Sequence, residues 1–140
     1  MSDVQQNNFD FELVSPERKL MSEKAWQVTI PGKEGDFGVR AGHSSLVSFI
    51  RPGVVEIITS EGDKPTKIFI AGGFADVTAS NCTVLAEEAM KVEDLDKGAI
   101  EKEISDLSSK LEKAADEIET ARYTKQLSLA KAKLSAVEAA

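Results

Sequence analysis

One histidine, one cysteine and a scatter of carboxylates are what this 140-residue chain offers for proton transfer, nucleophilic attack or metal ligation. His43 follows a flexible Ala41-Gly42 step and precedes Ser44-Ser45. A general base needs a nucleophile or substrate proton within hydrogen-bond reach, and no local constellation supplies one. A structural or interface hydrogen bond is the better reading of His43. Cys82 falls inside a β-prone run, where a buried thiol is the usual state. With one Cys and one His, neither an internal disulfide nor a Cys/His zinc site can be built. Gly32, Gly35 and Gly38 form GxxGxxG rather than the dinucleotide fingerprint, and they sit in a turn-rich stretch instead of opening a helix. Gly62-Asp63-Lys64-Pro65-Thr66 lacks the phosphate-loop spacing, and its proline removes an amide donor. The acidic pairs Asp10/Glu12 and Glu87/Glu88 read as solvated surface charge. No catalytic, cofactor-binding or metal-ligating residue is therefore assigned, and no cofactor is expected.

The elements that carry these residues change character near residue 90. All four prolines, eight of nine glycines and every aromatic except Tyr123 lie at or before Phe74. Before the change, Phe9, Phe11 and Leu13 alternate with polar residues, as do Trp26, Val28 and Ile30, which is the period of a half-buried strand. Residues 54–59 and 67–71 are two further strands. The turn-forming residues 60–65 between them predict a hairpin, and residues 81–86 add a last strand. No early 10–15-residue helical pattern could serve as a crossover. The expected fold of residues 1–89 is a flattened antiparallel β-sandwich of eight to ten strands.

Residues 90–140 keep helical time. Ile100, Ile104, Leu107, Leu111, Ala114 and Ile118 form one apolar stripe, and Tyr123, Leu127, Ala130, Leu134 and Val137 form a second. The five-residue slip from Ile118 to Tyr123 marks either a stutter in one helix or a joint between two. A single helix over 95–138 would be about 66 Å long with no helix of its own chain to cover it. A two-helix hairpin joined near residues 113–117 lets the stripes cover each other. Asp94 or Asp96 is suited to cap the first helix. Nine alanines from Ala99 onward permit close helix approach but contribute little burial each.

Formal net charge is −7, divided as −5 over residues 1–90 and −2 over 91–140. No basic surface is available for phosphate contacts, so nucleic acid is not an expected partner. The longest apolar run, Ile68 to Ala75, has eight residues, where a spanning helix needs about 20. No basic-led apolar segment opens the chain, so export is not expected. The most unusual stretch runs from Pro31 to Pro52, where tight turns can project Glu34, Asp36 and His43 as a rim for contact with another protein. Composition alone favours an interaction protein, including an autonomous two-domain adaptor that binds a partner coiled coil.

An ordered set of segments narrows this. Residues 11–18 (FELVSPER), 30–39 (IPGKEGDFGV), 42–46 (GHSSL), 51–54 (RPGV), 72–77 (GGFADV) and 84–86 (VLA), with Asp94-Leu95-Asp96 leading into the helices, resemble the epsilon subunit of rotary F-type ATP synthase, counterpart of the mitochondrial delta subunit. The resemblance spans nearly the whole chain. It implies a non-catalytic central-stalk subunit that couples rotation of the gamma subunit and c-subunit ring to ATP synthesis. It also implies peripheral association, through the complex, with the cytoplasmic face of the bacterial inner membrane. On this basis Glu34, Asp36 and His43 match positions at or near the c-ring contact. The helices resemble the family's regulatory arm, which impedes ATP hydrolysis when it extends into the catalytic alpha/beta head. Arg122, Lys125, Leu127, Lys131, Lys133 and Leu134 are the arm residues so implied. Two departures stand out. In Leu95-Asp96-Lys97-Gly98-Ala99-Ile100, Ala99 replaces the arginine of the ATP-binding motif found in some members, so direct ATP sensing is not expected. Arg40-Ala41 stands before Gly42-His43 where the family commonly has proline before the glycine.

Overall fold

The computed structural model describes residues 7–140. The chain divides between Met90 and Lys91 into two compact units. The first is all β: β1 Phe9–Val14, β2 Lys19–Ala25, β3 Gln27–Gly32, β4 Gly35–Val39, β5 Leu46–Ile50, β6 Gly53–Ile58, β7 Thr66–Ile70, β8 Gly73–Val77, β9 Asn81–Ala86 and β10 Ala89–Lys91, whose last residue crosses the division. They form one curled sheet in the order β10-β7-β6-β3-β5-β8-β9-β1-β2, with β4 on β3. β3 meets β5 at a single pair, Gly32 opposite Ile50. The sheet folds over at this junction, so the β6–β3–β4 layer and the β5–β8–β9–β1 layer enclose one core.

Alternation decides which side chains fill that core. Phe9, Phe11 and Leu13 of β1, Val28 and Ile30 of β3, Val55 and Ile57 of β6, and Val77, Cys82 and Val84 are all buried in one cluster. Trp26 departs from the expected stripe: it sits in the bend between β2 and β3 and is half-buried. The all-antiparallel expectation has one exception, since β1 runs parallel to β9. No tight turn joins these two strands, so none dictates an antiparallel pairing. The edge strand β2 is charged, and its Lys24 pairs with Asp10 directly opposite on β1 at 2.7 Å. Two glycines are dictated by backbone proximity. A Cβ at Gly73 (φ +145°) would collide with the Leu85 carbonyl, and one at Gly32 would lie 2.7 Å from the Gly35 carbonyl oxygen.

The second unit holds a 3-10 turn at Val92–Asp94 and two helices, α1 Lys97–Glu112 and α2 Glu117–Glu138. Each helix begins on an aspartate. Asp96 accepts a bond from Ala99 N at 3.3 Å, and Asp116 accepts one from Glu119 N at 2.8 Å. The hairpin core is Leu107, Leu127 and Ala130, flanked by Ile104, Leu111 and Tyr123. Its open end is tied by Lys97 Nζ to Glu138 Oε2 at 3.6 Å. Ile118 does not belong to the stripe, since it is 81% exposed. It lies in the first turn of α2, after α1 has ended at Glu112, so no facing helix covers it there.

Candidate functional site

Glu34 and Asp36 stand together at one corner of the sandwich. Lys33-Glu34 forms the tip of the β3–β4 hairpin, closed by Gly32 opposite Gly35. Asp36 follows on β4, opposite Pro31. Both carboxylates are exposed. Arg51 organises the corner: its Nη2 lies 2.5 Å from Asp36 Oδ1, and its Nη1 donates to the Gly32 carbonyl at 2.6 Å. Backbone bonds from Arg51 N to the Pro31 carbonyl (3.0 Å) and from Lys33 N to the Phe49 carbonyl (2.9 Å) join the same corner to β5. The hairpin tip is therefore held rather than loose.

His43 is not in this corner. It belongs to the β4–β5 loop at the far end of β4, which by itself separates the two features by about 13 Å at the strand rise. Gly42 turns the chain there with φ +85°, and its N donates to the Ala79 carbonyl at 2.7 Å, placing the loop beside the β8–β9 turn. The half-buried imidazole donates from Nδ1 to the Ser44 carbonyl at 2.6 Å. In the neutral ring, Nε2 is then an acceptor. The three expected rim residues thus form two features, with β5 running from one to the other.

The outer face of β5 carries what sequence inspection missed. Val47 and Phe49 are 69% and 72% exposed. Phe49 lies opposite Phe74 of β8, Phe74 opposite Leu85 of β9, and Leu85 opposite Val14 of β1. An apolar row therefore crosses four strands on the face turned away from the core. The signal was present in residues 46–50 (LVSFI), where apolar residues occupy both phases of a short strand. In a sheet with one solvated face the second phase should be polar.

Cys82 is buried in the core. Burial first, and the nearby Asp76 carboxylate second, push its thiol up to about 12. It is an unreactive core residue.

On α2, Leu127 lies in the hairpin core and Leu134 is half-buried. Arg122 bonds its neighbour Tyr123, Nη2 to the phenol oxygen, at 3.2 Å. Arg122, Lys125 and Lys131 are exposed and Lys133 is half-buried. At about 100° per residue, Lys131 and Lys133 point to opposite flanks of the apolar stripe. Lys125 falls on the side of the helix away from the stripe, so the four basic residues do not form one patch.

A family model described as ATP synthase, Delta/Epsilon chain, beta-sandwich domain matches residues 8–92. The chain belongs to this family. The ATP synthase epsilon chain of Rhodospirillum centenum is 41% identical over 138 residues, covering 94% of this chain and 92% of that one. The epsilon chain of Rhizobium meliloti is 46% identical over 113 residues, 81% and 84% of the two chains. Among solved structures, a chain of the Euglena gracilis mitochondrial ATP synthase, determined with OSCP, F1 and c-ring, matches with a TM-score of 0.82. Its identity is 26%, over 93% of this chain and 81% of that one. A chain of the Tetrahymena thermophila mitochondrial central stalk and c-ring shares the fold, with a TM-score of 0.63 at 13% identity, covering 92% and 96%.

Family membership makes the chain a non-catalytic central-stalk subunit that serves coupling. It is peripheral and not integral to the membrane. No helix among the described residues is long and apolar enough to cross one.

Proposed function

We propose that the sandwich of this chain is the connector between gamma and the c-subunit ring in a proton-translocating bacterial F-type ATP synthase. In this reading it works on the cytoplasmic face of the inner membrane. The observation that carries the reading is the apolar row Phe49–Phe74–Leu85–Val14 on an outer sheet face. Such a row is costly to leave in water and is the kind of surface a partner subunit covers. We assign gamma to it. The c-ring contact belongs to Glu34 and Asp36 at the hairpin tip, where Arg51 holds the carboxylate of Asp36 for polar loops of the ring. His43, at the other end of β5, supplies a hydrogen bond at the edge of the same docked surface.

The helical unit is a regulatory arm. Leu127 sits in the core of the compact hairpin, Leu134 continues its stripe along α2, and both take an intermolecular partner when the arm extends. Arg122, Lys125, Lys131 and Lys133 then approach acidic surfaces of the alpha/beta head and limit hydrolysis. Extension is favoured only when the new contacts offset the lost hairpin core.

Cross-linking tests both parts. A cysteine is placed at Asp36 in one variant and at Leu134 in another, each carrying a maleimide–benzophenone photocross-linker, whose second end inserts into C–H bonds, in the assembled enzyme. Native Cys82 can remain, because its buried, high-pKa thiol is inert to the reagent near neutral pH. Adducts from position 36 to c, and from position 134 to alpha or beta under conditions of inhibited hydrolysis, are expected. Adducts from position 36 to peripheral subunits alone would refute the ring contact.

A further inference from the structure

We propose that Arg40 is a pre-formed receptor for a carboxylate carried by a neighbouring subunit of the stalk, a contact that rests on the docking reading above. Arg40 immediately follows β4. Its guanidinium carbon lies 4.1 Å from the centroid of the Trp26 ring, and its Nε donates to Gln27 Oε1 at 2.8 Å. Stacking sets the plane of the group, and the Nε bond sets its rotation within that plane. Both Nη nitrogens are left with no protein partner among the described residues, on an exposed side chain.

Three other cations of the sandwich are committed to groups of the chain itself, and among the described residues none of its free lysines is held in place by a stacked ring. Arg51 spends its two Nη groups on Gly32 and Asp36. Lys19 and Lys24 are paired to carboxylates on β1. Arg40 is oriented by its neighbours without being neutralised by them. A planar fork with two donors free matches the two oxygens of a carboxylate, and the rotamer entropy of a long side chain is already lost before binding. The acidic balance of residues 1–90, −5, disfavours adsorption to an extended anionic surface such as a bilayer, and the match of the fork to two oxygens is what assigns a single protein carboxylate as the partner. Arg40 follows β4 and bonds β3 at Gln27, whereas the Phe49 row crosses β5, β8, β9 and β1, so the two contacts are carried by different strands.

The test measures binding of the full chain to purified gamma and to a gamma–c-ring complex from the same enzyme. Arg40→Gln and Arg40→Lys are compared with wild type, and Phe49→Ser reports on the docking reading. Losing a charge-assisted bond is expected to weaken binding to one of the two probes about tenfold. Arg40→Lys should lose nearly as much, because an ammonium cannot form the fork, whereas a generic charge effect would be rescued by lysine. Wild-type affinity of both Arg40 variants for both probes, with Phe49→Ser impaired, overturns the receptor and leaves docking standing. Wild-type affinity of all three variants overturns both. Arg40-dependent binding to anionic vesicles but to neither probe also overturns the proposal.

Discussion

Phe49→Ser is the sharpest perturbation of the docking face, because Phe49 contributes little to the fold and much to the surface. At 72% exposure it leaves most of its ring in water. A surface substitution away from core, caps and strained backbone changes stability by about 0.5 kcal/mol or less. If the ring is covered on docking, about 140 Å² of apolar surface leaves water, worth about 3.5 kcal/mol at ~25 cal/mol per Å². Truncation of an aromatic anchor at the centre of an interface costs about 2–4 kcal/mol, so affinity for gamma should fall about 30-fold to several hundred-fold. Titration calorimetry with purified gamma reads the affinity, and thermal unfolding reads the stability. An unchanged melting temperature with wild-type affinity would refute the assignment of this row to gamma. A lowered melting temperature with a parallel loss of affinity would refute the separation of surface from fold.

Three further outcomes follow from the geometry. Leu127→Ala removes a central residue of the small hairpin core and should destabilise the helical unit by about 2–4 kcal/mol. Helical circular dichroism is then lost in urea before the Trp26 emission of the sandwich changes. Asp36→Lys breaks an exposed ion pair with Arg51, so stability should change by less than about 1 kcal/mol. ATP-driven proton pumping in membranes should nonetheless fall while hydrolysis by the detached catalytic head is unaffected, and undiminished pumping at normal occupancy counts against the ring contact. Folded Cys82 should resist thiol reagents at pH 8 and react on unfolding. Its thiol titrates near 9.0 when unfolded and near 12 when folded, so above pH 9 the unfolded state loses the proton first and stability falls. Comparison of wild type with Cys82→Ala across pH 9–12 should reveal a slope approaching 1.4 kcal/mol per pH unit that only the wild type shows.

Strands with a clean two-residue period were legible without coordinates. β1, β3, β6, β7 and β9 lie where alternation or short β-prone runs place them, and the helix joint falls in the residues between Glu112 and Glu117. β4 was hidden because Gly35 and Gly38 read as turn residues; pairing with β3 holds them extended. β2 was hidden by its charges, which are tolerated on a sheet edge. β5 was hidden because its outward residues Val47 and Phe49 are apolar, so alternation fails there, and β8 because Gly72-Gly73 stands at its start and reads as a turn. The site was legible only as residue types. Glu34 and Asp36 share a corner because one tight hairpin carries both, and Arg51 ties that corner down through Asp36 and the Gly32 carbonyl. His43 is carried away by the length of β4, which a contiguous motif does not reveal.

Local periodicity, glycine and proline placement, and aspartates at helix starts act over a few residues, so the chain alone determined its two-part character, most of its strands and the hairpin form of its helices. Long-range pairing determined the rest. The parallel register of β1 on β9, the fold-over at Gly32 and Ile50, and the apolar row across β5, β8, β9 and β1 each depend on pairing between strands that are not neighbours in the sequence. Which face of a strand meets water is settled by what packs against the other face, and that is a property of the assembled sheet.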